Sequence, residues 1–84
     1  MDIGVHFFAV YSDRSGTNFT NITLPSNATV ENLVNTIRSL YPNLIPDSQH
    51  LVVAGNSEYA DYNLELSPGD EVALIPPVSG GSYD

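Results

Sequence analysis

At 84 residues and with no cysteine, the chain has room for one modest core and none for a disulfide framework, a thiolate metal site or a persulfide on a side chain. Ten carboxylates stand against two cationic side chains, Arg14 and Arg38, and the net charge of -8 argues against nucleic acid as a partner and for a protein with a basic surface. Apolar residues are 42% of the chain, enough to fold, yet no run nears the ~18 residues of a membrane span; with no basic leader at Met1-Asp2, the expected location is the cytoplasm.

From Ile3 to Val10 apolar residues alternate loosely, with Ile3, Val5, Phe7 and Ala9 on one face, which predicts a strand. Phe8 and Val10 make its second face partly apolar, so this strand is expected in the interior of a sheet with material on both sides at one end. Ser12 to Asn18 is polar and holds Ser15-Gly16, and reads as a turn. Phe19 to Leu24 resumes the alternation and completes a hairpin.

Pro25-Ser26 closes that strand. Thr29 is placed to cap a helix by accepting from the backbone N–H of Asn32, with Glu31 favourable in the first turn. Val30, Leu33, Val34, Ile37, Leu40 and Tyr41 recur at helical spacing and predict one apolar stripe over residues 30–41, ended by Pro42. His50 to Ala54 reads as a third strand and Glu58 to Ala60 as a short fourth. Ser67-Pro68-Gly69-Asp70 is a turn with Pro at its second position. Glu71 to Ile75 is the last strand, with Val72 and Leu74 inward and Ala73 a further inward candidate, expected to pair with Val5 to Ala9. One helix on one face of a mixed sheet of about five strands is an α+β solution, here the β-grasp order, with the domain at 1–76 and a tail at 77–84.

Side-chain chemistry is sparse. His6 and His50 are the only histidines and have no metal-ligand spacing; each reads as a surface or interface residue. No nucleophile elbow and no phosphate-cradling glycine loop occurs. With every cation an arginine, the chain offers no lysine amine for conjugation, a pattern that favours a donor over a chain-forming modifier.

The tail carries the chemistry. Pro76-Pro77 cannot donate to a ladder and leads the chain stiffly off the sheet. Val78 and Ser79 follow, then Gly80-Gly81, slim enough to thread a channel that any side chain would block. From Pro77 to Gly81 the reach is at most ~17 Å. A stiff arm with a slim tip suits delivery of a terminal carboxylate into another protein's active site.

Val5-His6-Phe7-Phe8-Ala9, Arg14 and Gly16, the helix, Pro68-Gly69-Asp70-Glu71-Val72-Ala73 and the string from Pro76 to Gly81 together resemble the small, sulfur-carrier subunits of molybdopterin synthase, ubiquitin-like sulfur carriers, over residues 3–81. The resemblance implies a ubiquitin-like β-grasp. It implies that the Gly81 carboxylate is adenylated with ATP by an activating enzyme and converted to a thiocarboxylate. No cofactor bound to the carrier itself is expected. Its tail, with Pro76, Pro77, Val78 and Gly80, then enters the large catalytic subunit, in an expected heterotetramer, and gives sulfur to a cyclic pyranopterin precursor. Phe8 and Ile75 are the expected interface anchors. On this reading the chain is a non-catalytic sulfur donor. Sulfur carriers of thiamin, thionucleoside or cysteine formation share the mechanism, and a non-carrier interaction module is the remaining alternative. The family pattern ends at the second glycine, whereas Ser82-Tyr83-Asp84 follow Gly81 here. The expectation is therefore a precursor that a protease trims.

Overall fold

A computed structural model describes residues 1–45, 51–55 and 58–76. Five strands and two helices run in the order β1 (Asp2–Phe7), α1 (Val10–Ser15), β2 (Phe19–Thr23), α2 (Val30–Leu40), β3 (Val52–Gly55), β4 (Glu58–Tyr59) and β5 (Glu71–Ile75). The sheet order is β2-β1-β5-β3-β4. β1 pairs antiparallel with β2 and parallel with β5, and β3 pairs antiparallel with both β5 and β4. The last strand thus occupies the centre of the sheet beside the first.

One face of this sheet is covered. Val30, Leu33, Val34 and Ile37 of α2 join Ile3, Val5, Phe7, Val53, Val72 and Leu74 in a single buried cluster. The predicted alternation accounts for the strand members and the helical stripe for the rest. Burial of each such side chain contributes ~1.5–3 kcal/mol. Leu40, included in the predicted stripe, is instead 57% exposed. It is the last residue of the helix, and Tyr41 follows as the C-cap.

The start of α2 is built as the sequence predicts. The Thr29 hydroxyl accepts from Asn32 N–H at 3.4 Å, and the Asn32 side-chain oxygen accepts from Thr29 N–H at 2.9 Å, a reciprocal capping box. Two further N–H groups of the first turn donate to a neighbouring loop, Val30 to the Leu64 carbonyl and Glu31 to that of Tyr62, each at 2.9 Å. The orphan donors of a helix start are thereby satisfied. The turn at 67–70 is closed by Asp70 N–H to the Ser67 carbonyl at 3.1 Å, with Gly69 at φ 83° where only glycine is unstrained.

Two sequence readings are corrected. The first strand ends at Phe7 rather than Val10, and the segment read as a polar turn is the short helix α1. Ala9, at φ 51°, turns the chain out of the sheet, and Gly16 at φ 81° ends the helix with its N–H on the Ser12 carbonyl. α1 has no side-chain cap at its start, and Ser12, Asp13 and Ser15 are poor helix formers. Tertiary contacts hold it: Tyr11 is buried in the core, and Arg14 Nη1 donates to the Leu44 carbonyl at 2.7 Å. With the strand shortened, β5 pairs with Gly4–Phe7 instead of Val5–Ala9. The expected third strand begins at Val52, and its proposed first residue, His50, lies outside the described residues.

Candidate functional site: the open sheet face and the root of the tail

Because β1 and β5 are parallel, they end at the same side of the sheet. The last registered pair is Phe7 with Leu74, and the next residues along the two strands are Phe8 and Ile75. Ile75 is paired on its other side with Val52. Pro76, half-buried, follows directly. The two expected anchors therefore share one end of the sheet with the root of the tail. Pro77, Val78, Gly80 and Gly81 lie outside the described residues, as does the rest of the proposed tail 77–84.

The face opposite α2 has no layer over it among the described residues. Strand alternation places Gly4 and His6 of β1, Phe19 of β2, Glu71, Ala73 and Ile75 of β5, and Val52 and Ala54 of β3 on this face. Phe8 is 50% exposed, Phe19 40%, and Tyr59, opposite Ala54, 77%. Large apolar groups exposed together in so small a domain mark an interaction surface. Where material was expected on both sides of β1, the described residues leave aromatic side chains of its second face partly exposed.

His6 organises one half of this face. Its ring centroid lies 4.8 Å from that of Phe19 and 6.4 Å from that of Phe8, within 11° of parallel to the latter. His6 Nε2 is 3.1 Å from Glu71 Oε1. Gly4 makes room for the group: a Cβ there would sit 3.0 Å from the Phe19 ring and 3.1 Å from Glu71 Cγ. A groove of about 560 Å³ runs beside these rings to the start of α1, where Ser12, Asp13 and Asn18 line it. Ser12 Oγ donates to Asn18 Oδ1 in this lining.

Sequence reasoning named Phe8 and Ile75 and read His6 as a surface or interface residue, but it did not single out their neighbours Phe19 and Glu71. The parity of Phe19 and His6 in their strands was the available signal. Their grouping depends on register, which a lone sequence does not print. Among the described residues no three histidine, aspartate or glutamate side chains gather as a metal site, and no helix is long and apolar enough to cross a membrane.

Comparison with known proteins agrees with this geometry. The model of the ThiS family matches residues 5–81, so the match ends on Gly81. The molybdopterin synthase sulfur carrier subunit of Homo sapiens is 33% identical over 82 residues, covering 94% of this chain and 93% of that protein. The crystal structure of SAMP1, a small archaeal modifier protein of Haloferax volcanii, superposes with a TM-score of 0.81 at 27% identity, covering 96% and 100% of the two chains. A protein–protein complex of subunits 1 and 2 of molybdopterin-converting factor from Helicobacter pylori 26695 contains a chain that matches with a TM-score of 0.68 at 26% identity, over 96% of this chain and all of that one. The covered and open faces, the central last strand and the relatives converge: this chain belongs to the ThiS family, and within it is similar to the sulfur carrier subunits of molybdopterin synthase.

Proposed function

We propose that the chain is the sulfur carrier of a molybdopterin synthase, a non-catalytic subunit that presents sulfur as a thiocarboxylate on Gly81. The observation that carries this reading is the family match ending on Gly81, downstream of a central strand whose last residues stand beside exposed Phe8. An activating enzyme adenylates the Gly81 carboxyl with ATP. Sulfur then displaces AMP, and the loaded tail enters the active site of the large subunit, with which the carrier assembles as a heterotetramer. Phe8 and Ile75 anchor that assembly, and Pro76, Pro77, Val78 and Gly80 form the arm. The name of the archaeal modifier SAMP1 favours one second reading, in which the same activated terminus is passed to an amine of another protein.

Both readings require a free carboxylate at Gly81, and in the chain as written that carboxyl is an amide to Ser82. The full-length form is then a precursor, and a protease that removes the following residues is a further partner. The test compares the full chain with a version ending at Gly81, each incubated with the activating enzyme, ATP and a sulfur source. Intact mass should show oxygen replaced by sulfur in the shortened form alone, and only that form should support molybdopterin formation with the large subunit. Gly81→Ala in the shortened form should lose most transfer without disturbing the fold. Full-length chain, verified uncleaved, that supports molybdopterin formation equally well overturns the terminal-carboxylate mechanism.

A further inference from the structure

We infer that the groove between Phe8, Phe19 and the start of α1 receives an arginine side chain from the carrier's protein partner, the synthase large subunit on the reading above. The walls are aromatic. Phe8 and Phe19 flank His6, and a guanidinium placed over either phenyl ring falls within the ~6 Å at which a ring quadrupole attracts a cation. The rim is anionic: Asp13 is exposed and lines the groove, and its carboxylate has no hydrogen-bond or ion-pair partner among the described residues. Glu71, on the far side of His6, is exposed, and its carboxylate pairs with that ring among the described residues.

The chain has little of its own with which to answer these charges. Its two cations are Arg14 and Arg38, and Arg14 is held by the Leu44 carbonyl. Glu71 already faces His6, but covering this face removes water from Asp13, and a carboxylate buried without a counter-charge costs several kcal/mol. A partner that seals the exposed phenyl rings must therefore bring its own cation. Arginine fits better than lysine. Its planar guanidinium stacks on a ring while its fork still donates to a carboxylate, whereas an ammonium is a strongly hydrated point charge. Asn18, whose side chain accepts from Ser12, adds a polar group to the lining of the groove. The recognised element is thus a cation set among apolar contacts, the composition common to interface anchors.

The test titrates the ¹⁵N-labelled chain with N-acetyl-arginine amide, and in parallel with N-acetyl-lysine amide. Saturable amide shifts should concentrate at residues 6–8, 12–13 and 18–19, with arginine binding several-fold more tightly. Asp13→Asn and Phe19→Ala should each abolish saturation, while Glu65→Gln, outside the groove, should leave it unchanged. Absence of saturable shifts at these residues, or equal shifts in Asp13→Asn, overturns the inference whether or not Gly81 carries sulfur. With the large subunit as ligand, Asp13→Asn should weaken binding about tenfold, and affinity within twofold of the unsubstituted chain removes this partner. Thiocarboxylate formation by the shortened Asp13→Asn chain reads the carrier function separately.

Discussion

The two faces of the sheet are made from the same strands, yet they have opposite fates. On the α2 side Ile3, Val5, Phe7, Val72 and Leu74 are sealed from water; one residue along each strand, His6, Phe8, Ala73 and Ile75 remain accessible. A strand period of two lets one segment specify both a core and a docking surface. The covered face sets stability. The open face, with little packed on it, is available for a partner at small cost to the fold.

The largest expected effect lies on the covered face. Leu33→Ala or Ile37→Ala removes a fully buried side chain of α2 and should cost ~2–5 kcal/mol, a large part of the stability of so small a domain. Urea midpoints measure it. Phe8→Asp and Ile75→Asp provide the contrast. The first especially should stay close to the parent in stability, because Phe8 is half-exposed, yet each should weaken binding to the large subunit at least tenfold, roughly 1.4 kcal/mol. Unchanged affinity in both folded variants breaks the assignment of the open face as the docking surface.

A middle-sized effect belongs to the helix start. Thr29→Ala removes one half of the capping box and should cost ~1 kcal/mol without altering partner binding, since the cap is remote from the groove residues. A smaller effect tests the seat of Phe19. Gly4→Ala places a methyl group 3.0 Å from that ring and 3.1 Å from Glu71 Cγ. Both neighbours are partly exposed side chains that can yield, and the loss of glycine's unfolded-state freedom offsets the crowding. Stability should move by less than ~1 kcal/mol, while the ring-current shift of Phe19 on His6 changes. A loss well above that bound shows that the Phe19 ring is fixed.

Much of this fold was legible because the apolar text has clear periods. The stripe Val30, Leu33, Val34, Ile37 forms the predicted helix with the predicted Thr29 cap, and the turn at 67–70 and the inward Val72 and Leu74 stand where the alternation places them. α1 was not legible. It is six residues long, and its main supports are non-local: a buried Tyr11 and an Arg14 bond to a carbonyl thirty positions away. Local propensity favoured a turn at Ser15-Gly16, and the glycine does end an element, but one that tertiary contacts create. The site divides in the same way. Phe8 and Ile75 were named as the expected interface anchors, whereas the seat that Gly4 gives to Phe19 and Glu71 arises only when three strands come into register.

Tyr11 marks the boundary between the two regions, and its effect at neutral pH should be the smallest. It belongs to α1, at the end of the sheet where the groove opens, yet its side chain is buried in the core. Its hydroxyl has no hydrogen-bond partner among the described residues. A buried hydroxyl left unpaired is unfavourable, so Tyr11→Phe should be neutral or stabilising by up to ~1 kcal/mol at pH 7. Burial raises the phenol above its ordinary value of 10.0; Arg14 and Arg38 oppose that shift and Tyr62 adds to it. A raised folded-state pKa means that the folded chain holds this proton more tightly than the unfolded chain. The corresponding stability is present below the ordinary tyrosine range and is lost as pH rises through the folded value. The parent chain should therefore lose stability faster than Tyr11→Phe above about pH 10. Urea midpoints of both proteins at neutral and alkaline pH measure the difference, in which other titrating groups largely cancel. If Tyr11→Phe is clearly less stable at neutral pH, the hydroxyl has a partner after all. If the two proteins decline in parallel in alkali, Tyr11 does not link the core to pH.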